Sequence, residues 1–182
     1  MKPILLLVAI LLAIAAGVLA VHLRSRSSTT GTVVHVVNGF EFTVHAPYEK
    51  VFPLFGAYGE RAWGGESWDP QFLYPLPAHD IEGEVFTVAR RHTHAVWLNT
   101  AFDPESGHVQ YVYVMPDVQA TRIDIHFRHD DPARTAVKVV YERTALTASF
   151  NTHIQEMGRK DSQSAEEWQN SIEKYLAVAK AN

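Results

Sequence analysis

The chain has 182 residues, 47% of them hydrophobic, and a formal net charge of -4 at pH 7. This length and composition allow one domain of ordinary size with a sizeable core. The net charge provides no basic field to attract phosphate, so nucleic acid is excluded as an expected partner. The absence of cysteine excludes disulfides, thiol catalysis and Cys-ligated zinc sites.

Residues 4–21 form an apolar run with one glycine and no charge, followed by Arg24 and Arg26. A run of this length can span a bilayer as a helix. The alternative is a signal peptide cut after Ala20, where small residues suit the peptidase. We favour a retained anchor, because the run exceeds the usual signal-peptide core and positive charges follow it. Lys2 on one side balances the arginines on the other, so the orientation stays open.

The composition divides the chain into three parts. Residues 1–24 are the transmembrane anchor or signal peptide, residues 25–31 are a short polar linker, and residues 32–182 form one folded domain. Within the domain, residues 32–37 and 40–45 are β-branched and aromatic runs typical of strands. Asn38-Gly39 between them predicts a tight turn or a bulge.

Two short helical segments are expected after these strands. Pro47 suits the first position of a helix, because its missing N–H would be unsatisfied there anyway. A second short helix or irregular loop covers residues 59–69, a glycine-rich segment that contains Trp63 and Trp68. Leaving two tryptophans in water is unfavourable, so we expect them to cap the core or to line the rim of a pocket.

The middle of the chain predicts an antiparallel meander. Turn-forming residues separate strand candidates at residues 83–90, 95–102, 108–115, 121–128 and 135–146. No helical pattern interrupts them, which argues against a parallel βαβ fold. Alternation along the last strand puts one set of side chains on the apolar face, namely Val137, Val139, Tyr141, Arg143 and Ala145. Arg143 is therefore a cation directed toward the core.

The C-terminal segment, residues 161–180, predicts the longest helix of the folded domain. Apolar residues recur on it at intervals of three or four, at Ala165, Trp168, Ile172, Leu176 and Ala179. One amphipathic helix beside one half-buried sheet must lie across the apolar face of that sheet.

This order of elements resembles the helix-grip fold of the START-like (SRPBCC) superfamily. The residues that carry the resemblance are FEFTVHAPYEKVFPLF at 40–55, GERAW and WDPQFLYP within 59–75, GEVFTV at 83–88, VVYERTAL at 139–146 and EEWQNSIEKYL at 166–176. We therefore predict an α+β fold in which a curved antiparallel sheet of about six or seven strands wraps a long C-terminal helix. Two short helices follow the first strand. The resemblance also implies a deep cavity between sheet and helix, which holds sterols, lipids, polyketides or other apolar molecules in the superfamily.

Arg143 is the most unusual candidate for a site in that cavity. It could reach water or pair with a protein carboxylate, or it could hold the anionic group of a ligand. We favour a ligand or cavity water as its partner, because the inward face of its own strand carries no carboxylate. The other cavity candidates are aromatic: Tyr141, Trp63, Trp68, Trp97, Tyr111 and Tyr113. For the last three, cross-strand packing is the favoured alternative.

The sequence contains no serine-nucleophile motif, phosphate-binding glycine loop or dinucleotide fingerprint. His92 and His94 lie at a predicted turn without a third ligand at suitable spacing, so no metal or other cofactor is expected. The resulting hypothesis is a membrane-tethered domain that binds an apolar or amphipathic small molecule, without a catalytic residue. The alternatives are a polyketide cyclase/dehydrase-like enzyme and a partner-protein adaptor with a filled core.

Overall fold

The computed structural model describes residues 31–90 and 93–180. The predicted anchor or signal peptide and most of the linker lie outside the described residues. Among the helices of the described part, none is long and apolar enough to cross a membrane.

The domain consists of one antiparallel sheet and a few helices. Its strands are β1 (His35–Val44), β2 (Pro70–Tyr74), β3 (Val85–Arg90), β4 (Thr93–Asp103), β5 (His108–Met115), β6 (Gln119–Asp131) and β7 (Arg134–Ala145). The α-helices are α1 (Tyr48–Val51), α2 (Asn151–Asp161) and α3 (Ala165–Ala179), with 3₁₀ turns at Phe52–Phe55, Gly59–Ala62 and Ala148–Phe150. The seven strands follow the spatial order β1-β7-β6-β5-β4-β3-β2. The predicted α+β class, with short helices after the first strand, is confirmed.

The predicted turn at Asn38-Gly39 is wrong, because both residues lie inside the continuous strand β1. Asn38 pairs with Tyr141 and Gly39 pairs with Val140, so the ladder between β1 and β7 runs through this dipeptide. A Cβ atom on Gly39 would lie 2.5 Å from the carbonyl oxygen of Val139. The glycine therefore permits close approach of two backbones rather than a reversal of the chain.

Strand β2 was not predicted from the sequence. It is short, begins at Pro70 and pairs with β3 through a register shift between Phe72 and Tyr74. A proline is tolerated there because β2 lies at the edge of the sheet. The irregular register removes the alternation by which such a strand is detected.

The alternation predicted for β7 and β6 is confirmed. Val137, Val139 and Tyr141 are buried on β7, whereas Lys138 is exposed. On β6, the inward set is likewise buried, at Ile123, Ile125 and Phe127. One face of the sheet is thus apolar and the other is hydrated, as expected for an antiparallel sheet with a single covered face.

The C-terminal region contains two helices rather than one. Residues 162–164 separate α2 from α3, and α2 was missed because its buried residues are only Ile154, Gly158 and Asp161. These three residues do not form an apolar stripe along the helix, and such a stripe is the pattern by which a helix is predicted from sequence. A Cβ atom on Gly158 would overlap the side-chain amide of Asn38, so α2 packs closely against β1.

Helix α3 covers the apolar face with the buried Ile172 and Leu176 and with the half-buried Trp168. The Trp168 ring lies 5.3 Å from the Phe40 ring and 5.2 Å from the Trp63 ring, measured between centroids. Phe42 and Phe55 lie slightly farther away, at 6.4 and 6.2 Å. Aromatic side chains therefore occupy the space between α3 and the sheet.

Candidate functional site

A row of polar and aromatic side chains crosses the buried face of the sheet at one level. Trp97 on β4 pairs with Tyr113 on β5, Tyr113 pairs with Thr121 on β6, and Thr121 pairs with Arg143 on β7. All four are buried. Because neighbours in register on one face contact each other, we refer to Trp97, Tyr113, Thr121 and Arg143 together as the polar row.

Arg143 is 4% exposed and forms a two-point contact with Asp161 at the end of α2. Its Nε donates to Asp161 Oδ2 at 2.6 Å, and its Nη2 donates to Asp161 Oδ1 at 2.8 Å. The expectation that a ligand or water neutralises Arg143 is therefore corrected, since its partner is a protein carboxylate. Alternation within β7 could not reveal a partner that comes from another element. The guanidinium also lies over the Tyr141 ring, 4.5 Å from its centroid.

Burial alone would lower the pKa of Arg143, but the hydrogen bond to Asp161 and the neighbouring Tyr113 raise it above its ordinary value. The guanidinium therefore stays charged. A buried pair with this geometry is held by two parallel charge-assisted hydrogen bonds, which fix the orientation of the remaining nitrogen.

That remaining nitrogen, Arg143 Nη1, donates to the Tyr113 hydroxyl at 2.6 Å. Gln119 Nε2 donates to the same hydroxyl at 2.9 Å, so the oxygen of Tyr113 accepts two hydrogen bonds. The Trp97 ring stacks on the Tyr113 ring at 4.1 Å between centroids. Tyr113 is thereby fixed from three sides.

Two buried polar atoms beside Tyr113 lack a hydrogen-bond partner among the described residues. They are Gln119 Oε1, an acceptor, and Trp97 Nε1, a donor. Gln119 is 1% exposed and Trp97 is 6% exposed. Buried polar groups in folded proteins are normally paired with protein or water, so this donor and this acceptor are an exception that needs an explanation.

A second buried cluster lies at the start of β3. Asn99 Nδ2 donates to Glu84 Oε2 at 3.4 Å, whereas Glu84 Oε1 and Asn99 Oδ1 have no partner in the described part of the chain. Burial, with a smaller contribution from Asp80, raises the pKa of Glu84 to about 8. Burial also raises the pKa of Glu60 well above its ordinary value. Glu84 therefore largely keeps its proton at neutral pH, and burial of Glu60 favours its neutral form in the same way.

The seven residues predicted to line a cavity separate into two groups. Arg143, Tyr141, Tyr113 and Trp97 meet at or beside the polar row. Tyr111 instead donates its hydroxyl to the carbonyl of Phe55 at 2.5 Å, within the core.

Trp63 and Trp68, the other members of that set, are half-buried and bonded to backbone. Trp63 Nε1 donates to the carbonyl of Leu54 at 2.6 Å, and Trp68 Nε1 donates to that of Ala57 at 3.2 Å. Both pack against the edge of the core, in agreement with the expectation that they cap it. The stacking of Trp97 on Tyr113 confirms the favoured cross-strand packing.

Four residues of these clusters were not predicted from the sequence, namely Asp161, Gln119, Glu84 and Asn99. The burial of Gln119 could have been predicted from alternation, since it shares the inward face of β6 with Thr121 and Ile123. The burial of Asp161 could not have been predicted in this way, because Asp161 ends a helix that lacks an apolar stripe. Of the two predicted turn histidines, His92 lies outside the described residues and His94 is exposed on β4.

The open cavity that the resemblance implies is replaced, in the described residues, by aromatic side chains around Trp168. Two shallow depressions of about 330 and 320 Å³ lie at the surface. The first lies beside His45 and α3, and the second follows β1 and β7; neither is lined by a member of the polar row. A ligand that reaches the row must therefore displace part of the aromatic packing.

Comparison with known proteins gives matches in structure. No family model matches the chain, and no curated protein matches it. Norcoclaurine synthase from Thalictrum flavum, in complex with dopamine and hydroxybenzaldehyde, has a TM-score of 0.57 at 11% identity, covering 80% of this chain and 88% of that one. Ara h 8.0201 has a TM-score of 0.54 at 12% identity, covering 80% and 99%. A protein from Thermobifida fusca has a TM-score of 0.57 at 14% identity, covering 76% and 92%.

Proposed function

We propose that this chain, which has the helix-grip fold of the START-like superfamily, is a membrane-tethered binding domain for an apolar or amphipathic small molecule. The fold is consistent with binding of a hydrophobic ligand. The tether is supported by the uncharged run at residues 4–21 and the arginines after it. A short polar segment at residues 25–31 separates this run from the domain in the sequence.

The observation that carries the proposal is the unpaired donor and acceptor beside Tyr113. Each buried polar group without a hydrogen bond costs about 1 to 3 kcal/mol. Trp97 Nε1 and Gln119 Oε1 belong to residues that contact Tyr113 from different strands. A ligand with a hydroxyl, carbonyl or carboxyl end supplies the missing partners, while the Arg143–Asp161 pair holds Tyr113 in place.

The apolar part of such a ligand has a path along the aromatic side chains. Rings contact one another from Trp168 to Phe40 and from Phe40 to Tyr141, and the Tyr141 ring lies beneath Arg143. Trp168 is half-buried, and its movement with α3 would open the space between helix and sheet. The ligand would then replace Trp168 against Phe40 and Phe42.

Native mass spectrometry of the full chain, purified in detergent and followed by organic extraction, tests this function. We expect an apolar molecule bound at one copy per chain, and we expect Gln119→Met to reduce its occupancy. Gln163→Met is the matched control, because Gln163 is exposed between α2 and α3. An empty chain that also fails to bind added fatty acid or sterol would overturn the proposal and favour the adaptor with a filled core.

An enzyme of the cyclase or dehydrase type is a second candidate, favoured by the buried carboxyl of Glu84. Its pKa of about 8 lets it give or take a proton near neutral pH, as general acid–base catalysis requires. Glu84→Gln distinguishes the two functions. Turnover of a bound polyketide-like molecule that disappears in this variant while binding persists would support the enzyme.

A further inference from the structure

A second group of functional side chains lies on the hydrated face of the sheet, opposite the polar row. His108 on β5 and His126 on β6 are direct partners in the antiparallel register. Asp124 precedes His126 by two residues, so it projects from the same face of β6. The three side chains are only partly buried, with exposed fractions of 27% for His108, 22% for Asp124 and 55% for His126.

The three side chains converge on one point. His108 Nε2 lies 2.6 Å from Asp124 Oδ1, and His126 Nε2 lies 3.4 Å from the same oxygen. The two imidazole rings are parallel to within 2° and their centroids are 4.5 Å apart. One ligand atom from each residue lies within 4.8 Å of the other two. Both Nε2 atoms therefore face the same carboxylate oxygen.

We propose that His108, Asp124 and His126 bind a divalent transition-metal ion of the Zn²⁺ class. Two imidazole nitrogens and one carboxylate oxygen form a donor set that such ions favour. Ligand atoms around a tetrahedral zinc ion are separated by about 3.3 Å, since each metal–ligand bond is about 2.0 to 2.1 Å long. The 3.4 Å separation of His126 Nε2 from Asp124 Oδ1 matches this value, whereas the 2.6 Å separation of His108 Nε2 from the same oxygen must lengthen when the ion enters.

Without metal, both Nε2 atoms are placed to donate their protons to Asp124 Oδ1. The metal binds the Nε2 lone pair of each neutral imidazole, so the single ring proton moves from Nε2 to Nδ1. Three protein ligands leave at least one coordination position for water or another ligand. The site is therefore open to solvent rather than closed like a purely structural zinc centre.

The neighbouring charges on the hydrated face are already engaged. Lys138 pairs in register with His126, but its ammonium lies 3.5 Å from Glu41. Asp103 pairs in register with His108, but it accepts hydrogen bonds from Ser106 and from the backbone of Glu105. The proposed ion thus meets the two histidines and Asp124 without displacing either contact. The site is independent of ligand binding beneath the sheet, because it lies on the other face.

Titration of the full chain in detergent with Co²⁺ and Zn²⁺ tests this proposal. Co²⁺ is followed by visible absorption and Zn²⁺ by calorimetry, both in buffer free of chelators. We expect one ion per chain, and we expect His108→Ala and Asp124→Asn each to weaken binding at least tenfold. The matched controls are His35→Ala and His94→Ala, because both histidines are exposed on strands of the same sheet.

Thermal unfolding provides an independent readout. Zn²⁺ should raise the melting temperature of the wild-type chain and of both controls, since a ligand that binds the folded state stabilises it. Zn²⁺ should leave the melting temperatures of His108→Ala and Asp124→Asn unchanged. Equal metal affinity in the wild type and in these two variants would overturn the site, as would a wild-type chain that binds neither ion.

Discussion

Arg143 on β7 and Asp161 at the end of α2 form a buried ion pair that joins the sheet to the first C-terminal helix. The two hydrogen bonds between them are 2.6 and 2.8 Å long, and both residues are buried. The pair also orients Tyr113 through the third nitrogen of the guanidinium. It therefore links the fold of the C-terminal region to the geometry of the proposed ligand site.

Arg143→Met should lower the free energy of unfolding by about 3 to 5 kcal/mol, because it leaves the carboxylate of Asp161 buried without its cation. Denaturant unfolding of the full chain in detergent measures this loss. Arg122→Met is the matched control, since Arg122 forms an ion pair with Glu142 on the exposed face of the same strands. Its removal should cost only about 0 to 1 kcal/mol. Equal losses in both variants would contradict the account of a buried pair.

Trp168→Ala should destabilise the domain by about 3 to 5 kcal/mol, the range for truncation of a large core side chain. Trp168 contacts four other aromatic rings, whereas its neighbour Glu167 is exposed. Glu167→Ala should therefore change little. If both variants shift the melting temperature equally, the apolar side of α3 has been assigned wrongly.

Gly158→Ala should destabilise the chain, although alanine ordinarily stabilises a helix interior by about 1 kcal/mol relative to glycine. The added methyl group would overlap the side-chain amide of Asn38. In an Asn38→Ala background this overlap disappears and only the tight contact with Val36 Cγ2, at 3.2 Å, remains, so the same change should cost less. A double-mutant cycle measured by thermal unfolding provides the comparison. No coupling between the two positions would contradict the close packing of α2 on β1.

Folding stability should fall as pH rises from about 4.5 to about 8, because the pKa of Glu84 is raised from 4.5 to about 8 in the folded chain. Between these values the folded state retains a proton that the unfolded state has lost. The unfolded state therefore binds fewer protons, and the slope of stability against pH is negative. Glu60 contributes in the same direction, since burial also raises its pKa.

Glu84→Gln should flatten that slope, because glutamine cannot ionise. Glu82→Gln is the control, since Glu82 is exposed two residues earlier. Unfolding curves at several pH values between 5 and 8 measure the effect. An unchanged slope in Glu84→Gln would show that this carboxyl does not hold its proton in the folded state.

The proposed anchor predicts that the mature protein keeps the residues before Ala20 and partitions with membranes. Cell fractionation and N-terminal sequencing of the purified protein measure both properties. A mature chain that begins at Val21 would show cleavage as a signal peptide instead.

The sequence predicted most strands of the sheet because their alternation is strong. β5 was predicted at its observed bounds, and β6 and β7 to within a few residues, since buried side chains recur at every second position along each strand. The edge strand β2 and the helix α2 were not predicted, for the opposite reason. Neither carries the regular apolar spacing on which the prediction depends.

The candidate site was predictable only in part. Arg143 was identified because alternation placed a cation on an apolar face, whereas the face on which Trp97 and Tyr113 lie was left open between cavity and solvent. Asp161 completes the ion pair across 18 residues of sequence. Similarly, His108 and Asp124 are brought together by the register of two strands. Contacts of this kind arise from tertiary packing and leave no local pattern in the sequence.

The central claim is that a small molecule satisfies the unpaired polar atoms beside Tyr113. NMR of the indole N–H groups tests it most directly, because the chain has four tryptophans and Trp97→Phe assigns the signal of Trp97. The full chain in detergent is recorded after lipid removal and again after addition of a fatty acid or of its extracted ligand. We expect the Trp97 signal to shift downfield on addition, because its N–H gains a hydrogen bond. A ligand that binds stoichiometrically while this signal stays unchanged would contradict it.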